Sequence, residues 1–102
     1  MSNTLTPHLG RDVIASGISM PNIGGGLRKA FSVDNLELPP GWVGTIVLEC
    51  RVRGHKYDEI KDTEALQLTN VLDVTGAAMI DSDLVSGSLD LQRRRVEEAQ
   101  GV

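Results

Sequence analysis

Apolar and polar residues alternate along most of this chain, and the period changes once, near residue 81. The clearest alternation lies in residues 43–53, VGTIVLECRVR. There Ile46, Leu48, Cys50 and Val52 fall on one face, and Thr45, Val47, Glu49, Arg51 and Arg53 on the other. A period of two with one apolar side predicts a strand in a sheet that is wet on one face. Gly54 is a place for a bulge or bend, after which His55-Lys56-Tyr57 can carry the strand on. Residues 66–75, LQLTNVLDVT, alternate again, with Leu66, Leu68, Leu72 and Val74 sharing a face with Asn70, and GAAMI extends the apolar character to Ile80. Residues 12–20 place Ile14, Ile18 and Met20 on one alternating face, and Pro21, which has no N–H to give a ladder, ends the run.

Residues 27–33, LRKAFSV, fit two templates. Leu27, Phe31 and Val33 alternate as a strand would, whereas Leu27, Ala30 and Phe31 match the i, i+3, i+4 spacing of a short amphipathic helix. Pro39-Pro40-Gly41 is a firm break. From residue 81 the spacing turns helical. Asp81 or Ser82 is a natural N-cap and Asp83 sets negative charge in the first turn. Leu84, Val85, Leu89, Val96 and Ala99 follow roughly one stripe, with Leu91 to its side, and Gly101 is placed to end the helix. The expected fold is therefore mainly β with one C-terminal helix (α+β): four to five short strands, mostly antiparallel, in a sheet or small sandwich. Residues 1–102 are expected to form one domain, with a flexible arm over 1–10, a β-rich body over 12–80 and a helix over 82–100.

Composition narrows what such a domain does. Aromatic residues are 3% of the 102, so the core must be aliphatic and there are few platforms for stacking single-stranded nucleic acid. The formal net charge of −4 argues against general DNA or RNA binding, which uses a basic surface. With one cysteine, Cys50, no intramolecular disulfide forms. The N-terminal residues lack the basic start and apolar run of a signal peptide, and no stretch approaches the ~18 apolar residues of a membrane span. A cytosolic chain, or part of a particle assembled in a cytosol, is expected.

Candidate chemistry is sparse. Gly24, Gly25 and Gly26 invite comparison with a phosphate cradle. However, the Walker pattern needs Gly-Lys-Ser/Thr, and the dinucleotide fingerprint needs a third glycine where Lys29 stands. A turn between strands, using the conformational freedom of glycine, is the expected reading of the three. Arg28 and Lys29, lifted by that turn, either meet an acidic partner or face solvent. His8, His55 and Cys50 lack metal-ligand spacing. Cys50 and His55, an odd number of residues apart, lie on opposite sides of a regular strand unless a bulge intervenes. Asp81 and Asp83 do not begin a calcium loop, since the fifth and sixth positions are Val85 and Ser86. The run Arg93-Arg94-Arg95 is the one concentrated basic feature, but on a helix it spreads over about 200°. No catalytic residue, metal ligand or cofactor is assigned. The candidate partner-binding residues are Arg28, Lys29, Arg51, Arg53, Arg93, Arg94 and Arg95.

Several blocks together resemble a known group. They are TPHLGRDVIA at 6–15, GGGL at 24–27, LECRV at 48–52, KDTEAL at 61–66, GAAMIDSDLV at 76–85 and RRRVEEAQG at 93–101. In these the chain resembles small uncharacterised proteins encoded by bacteriophages of actinobacteria, over nearly its whole length. None of the blocks is a catalytic motif, so the resemblance implies a phage origin, a compact fold and a place in the host cytoplasm or virion, but no activity. Where that group would carry an Arg and a His near positions 68–70, this chain has Leu68, Thr69 and Asn70, so any role for the pair is lost here. The expectation is a phage accessory protein, not an enzyme. It acts by binding a protein or another copy of itself, as a homo-oligomer or a virion component. Nucleic-acid binding through the seven cations is the alternative, and an enzyme built on Cys50, His55 and a carboxylate the remote one.

Overall fold

The structure, a computed structural model, describes residues 5–101. Three strands form a single sheet: β1 (Val13–Ser19), β2 (Thr45–Glu59) and β3 (Leu66–Ile80). Two helices accompany them, α1 (Ile23–Ala30) and α2 (Ser86–Ala99), with a short 3-10 turn at Ser82–Leu84 before α2. The expectation of a mainly β protein ending in a helix holds. The sheet nevertheless has three strands, not four to five, no second sheet makes a sandwich among the described residues, and a second helix is present. Strands β2 and β3 are each 15 residues long, so few long strands stand where several short ones were expected.

Strand order is β1-β3-β2. The β2–β3 hairpin is antiparallel, closed by a loop in which the Ile60 N–H bonds the Ala65 carbonyl at 3.2 Å and Thr63 Oγ1 bonds the Ile60 carbonyl at 3.0 Å. Strand β1 instead runs parallel to β3, from Val13 opposite Leu66 to Ser19 opposite Val71. This pairing follows from the chain path, because β1 reaches β3 across α1 and the hairpin, not through a tight turn. Val13 and Leu66, at 6% and 5% exposure, are the only buried hydrophobic residues among those described. The core therefore sits at one end of the sheet. There Arg11 ties the chain down, with Nη1 at 3.0 Å from Glu59 Oε1 and Nε donating to the Glu64 carbonyl at 2.8 Å. His8 stacks on Tyr57 with ring centroids 3.6 Å apart.

The arm expected over 1–10 is thus partly fixed. His8 and Arg11 exchange backbone hydrogen bonds of 2.9 and 3.0 Å around Leu9 and Gly10, both in the left-handed region; residues 1–4 lie outside the described part.

Gly24, Gly25 and Gly26 form no turn. They lie inside α1, which settles residues 27–30 as helical rather than extended. Three glycines make a poor helix by propensity, each costing about 1 kcal/mol against Ala, so tertiary packing must hold it. Gly26, Leu27 and Ala30 are half-buried, as is the capping Phe31, while Gly24, Gly25, Arg28 and Lys29 are exposed. The half-buried set repeats at helical spacing and faces β3. At Gly26 a Cβ would come within 2.9 Å of the Val74 Cβ, so glycine is what lets α1 lie this close to the sheet.

The C-terminal helix starts later than its sequence suggests, at Ser86 instead of 82, because residues 82–84 form a 3-10 turn of their own and Val85 follows with φ −124. Asp81 caps the 3-10 turn, its Oδ1 accepting the Asp83 N–H at 2.9 Å. Thr45 Oγ1 and Ser82 Oγ share a 2.6 Å hydrogen bond that fixes this turn to the end of β2. Gly101, with φ +82, follows the helix as its left-handed terminator.

Candidate interaction surface

Two irregularities decide which side chains share a face of the hairpin. The register shifts between Glu49 and Cys50, where Thr75 is the extra residue on β3, and between Val52 and Gly54, where Arg53 is the extra residue on β2. Cross-strand partners project to the same side. Ile46, Leu48, Cys50 and Val52 therefore line up with Met79, Ala77, Val74 and Leu72. On the other side stand Glu49, Arg51, Arg53 and Asp73. Asp73 receives both arginines, Arg51 Nη2 at 3.8 Å and Arg53 Nε at 3.6 Å, and Thr75 Oγ1 reaches Glu49 Oε1 at 3.1 Å. The sorting of β2 into an apolar and a polar side stands as the sequence indicates.

The apolar side is not closed. Helix α1 rests chiefly on β3, at Val74, and leaves much of β2 open beside it. Val52 is 55% exposed, and Ile46 and Cys50 are exposed as well. A groove of about 300 Å³ runs along the edge of α1, with Ala30, Phe31 and Leu36 as its wall and Ala77 and Met79 on its floor. Because Ala77 and Met79 pair with Leu48 and Ile46, the groove opens directly onto the β2 strip. The outer edge of β2 pairs with no strand among the described residues.

Helix α2 is equally uncovered. Every residue from Ser86 to Ala99 is exposed, and its main packing is against the 3-10 turn that precedes it. Of the stripe anticipated along this helix, Leu89, Val96 and Ala99 lie on α2 and are exposed, whereas Leu84 and Val85 belong to the turn before it and Val85 is half-buried.

The seven candidate cations do not converge. Arg28 and Lys29 lie on α1, over the apolar side of the sheet; Arg51 and Arg53 lie on the polar side with Asp73. Arg93, Arg94 and Arg95 belong to α2, where Arg93 Nη1 meets Asp90 Oδ1 at 3.3 Å and Arg95 Nη1 donates to Gln92 Oε1 at 3.2 Å. Exposed pairs of this kind contribute at most about 1 kcal/mol. The bulge at Arg53 does bring Cys50 and His55 to the same side. Val52 stands between them, and at ~3.3 Å per residue they are on the order of 13 Å apart along the strand, too far for a nucleophile and its base. His55 lies instead edge-on to Tyr57, with centroids 6.4 Å apart. Among the described residues no group of three His, Cys, Asp or Glu side chains is placed to hold a metal, and no helix is long and apolar enough to cross a membrane.

No family model, curated protein or solved structure matches the chain. The surface itself is the functional evidence. Its unclosed apolar strip was hidden in the sequence, because alternation shows which residues share a face but not whether anything covers that face. The signal available was the shortage of partners: one helix long enough to cover a sheet, with three glycines in the other.

Proposed function

We propose that this chain works by binding protein, with a second copy of itself as the first partner. The observation that carries the reading is the accessible surface of 8302 Å². A compact folded monomer of 11.0 kDa has about 5,600 Å². The excess, roughly 2,700 Å² per chain, is ample beside the ~800 Å² that each partner contributes to a standard interface and is in the range of obligate assemblies. The Cα radius of gyration, 17.4 Å, against about 13 Å for a compact chain of this length, points the same way.

The excess surface is of the kind that association buries. It includes Ile46, Val52, Leu89, Leu91 and Val96, and a 15-residue strand edge of the sort proteins cover or pair. The resemblance to phage proteins gives the reading a setting, an accessory or virion-incorporated protein working in the host cytoplasm or the particle. The scattered cations favour nucleic acid less, since binding needs them on one surface.

Co-expression of tagged and untagged copies tests the proposal. The untagged copy is expected to be retained with the tagged one through a high-salt wash; an untagged copy that washes through as free monomer overturns self-association. Mass spectrometry of purified virions, with the chain present at a fixed ratio to capsid protein, is the expected outcome for incorporation.

A further inference from the structure

We infer that helix α2 of one copy lies on the apolar β2 strip of a second copy. The inference rests on the self-association reading and specifies the interface. Its first ground is the pattern of α2. Val85, Leu89, Gln92, Val96 and Ala99 are spaced four, three, four and three residues apart, a seam that stays on one side of a helix. Ser88 and Gln100 border it, so a strip about 120° wide carries no charge at all. Arg93 and Arg95 flank that strip at about 80° to either side, and Arg94 stands directly behind it. A helix laid down on this seam buries no arginine, which matters because a buried unpaired charge costs several kcal/mol.

The receiving surface matches in length and character. From Ser86 to Ala99 helix α2 spans about 20 Å at 1.5 Å per residue, with Val85 just before its start. From Ile46 to Val52 the strip on β2 spans about 20 Å at 3.3 Å per residue. The strip is apolar throughout and is walled on one side by α1, so a helix placed there lies parallel to β2 beside α1 and closes the open side of the sheet.

The occupant is a second copy because of where α2 starts. The Thr45–Ser82 bond and the Asp81 cap hold the preceding turn at the end of the sheet, with the Leu84 N–H on the Asp81 carbonyl at 3.1 Å and the Val85 N–H on the Ser82 carbonyl at 3.1 Å. From that anchor α2 packs chiefly on the turn itself and stays exposed along its length, so its own chain fills neither surface. Pairing of two α2 helices with each other is the rival arrangement. It offers a seam of only two heptads with Gln92 at its centre, and it leaves Ile46 and Val52 in water. The exchange of helices covers both surfaces at once.

Disulfide trapping tests this, because Cys50 is the chain's sole cysteine and is exposed on the strip. A Cys50→Ser, Gln92→Cys double variant is mixed with the wild-type chain, equilibrated and oxidised mildly. The expected product is a two-chain species joining the introduced cysteine on α2 to Cys50 of the other chain. The double variant alone is expected to stay uncrosslinked; a two-chain product from it means helix-to-helix pairing and overturns the inference. The single Gln92→Cys variant reports folding back: a one-chain, internally bridged product overturns the inference too. Light scattering on the unoxidised mixture separates the two levels of the claim. An oligomer without the α2-to-Cys50 crosslink refutes this interface and leaves self-association standing, whereas a monomer refutes both.

Discussion

Gly26 is where α1 meets the sheet, and it behaves differently from the two glycines before it. A methyl group at Gly26 would press on Val74 at 2.9 Å, while Gly24 and Gly25 have nothing within 4 Å of an added Cβ. Gly24→Ala is therefore expected to stabilise the protein by up to ~1 kcal/mol through helix propensity. Gly26→Ala gains the same propensity but incurs an overpacking cost of about 1–3 kcal/mol, and the loss wins. Denaturant unfolding of the two variants checks the sign; equal stabilisation would mean that α1 does not pack as described. This contrast shows what the triplet hid. GGGLRK lacks the Lys-Ser/Thr of a phosphate loop, and its glycines suggest a turn because glycine disfavours helix. The Val74 contact that overrides this lies 48 residues away in sequence, beyond the reach of any local pattern. Leu27, Ala30 and Phe31 did carry the helical spacing, so the correct alternative was legible beside the wrong one.

At the scale of elements, α2 poses a question that its own chain does not answer. An isolated helix of 14 residues is marginal in water even with good helix formers, and this one contains Gly87 and no buried residue. On the proposed reading its stability comes from a second copy of the chain. Amide exchange in Ser86–Ala99 is accordingly expected to slow as protein concentration rises, while β3 amides stay protected throughout. Concentration-independent protection of α2 would contradict the account. The end of this helix was legible, because Gly101 takes the left-handed backbone that terminates it; its start was not, because Asp81 caps the 3-10 turn and α2 begins only at Ser86. Strands β2 and β3 were legible for the same kind of reason, since a period of two is local information. The parallel pairing of β1 with β3 was not. It depends on Val13 meeting Leu66 across 53 residues, and the β1 alternation, which singled out Ile14 and Ile18, favoured residues that the structure leaves 62% and 66% exposed.

For the whole molecule, an interface on the apolar side of the sheet predicts a sharp asymmetry between its faces. Val52→Glu places a charge in the middle of the strip and is expected to weaken self-association at least tenfold, with little loss of fold because Val52 is half in solvent already. Lys56→Glu on the polar side, where Lys56 Nζ is 3.9 Å from Asp58 Oδ2, is expected to leave association nearly unchanged. Sedimentation equilibrium of both variants against wild type measures the difference, and equal effects would place the interface elsewhere. The cations singled out in the sequence are spread over both sides of the sheet and the far helix, and their scatter could not be read from spacing along the chain. The central claim is that the surface left open by one chain is closed by another. Small-angle X-ray scattering of the wild-type protein tests it most directly. The account predicts a forward-scattering mass of two or more 11.0 kDa chains; a mass of one chain with a radius of gyration near 13 Å, meaning that the chain closes its own surface, would contradict it.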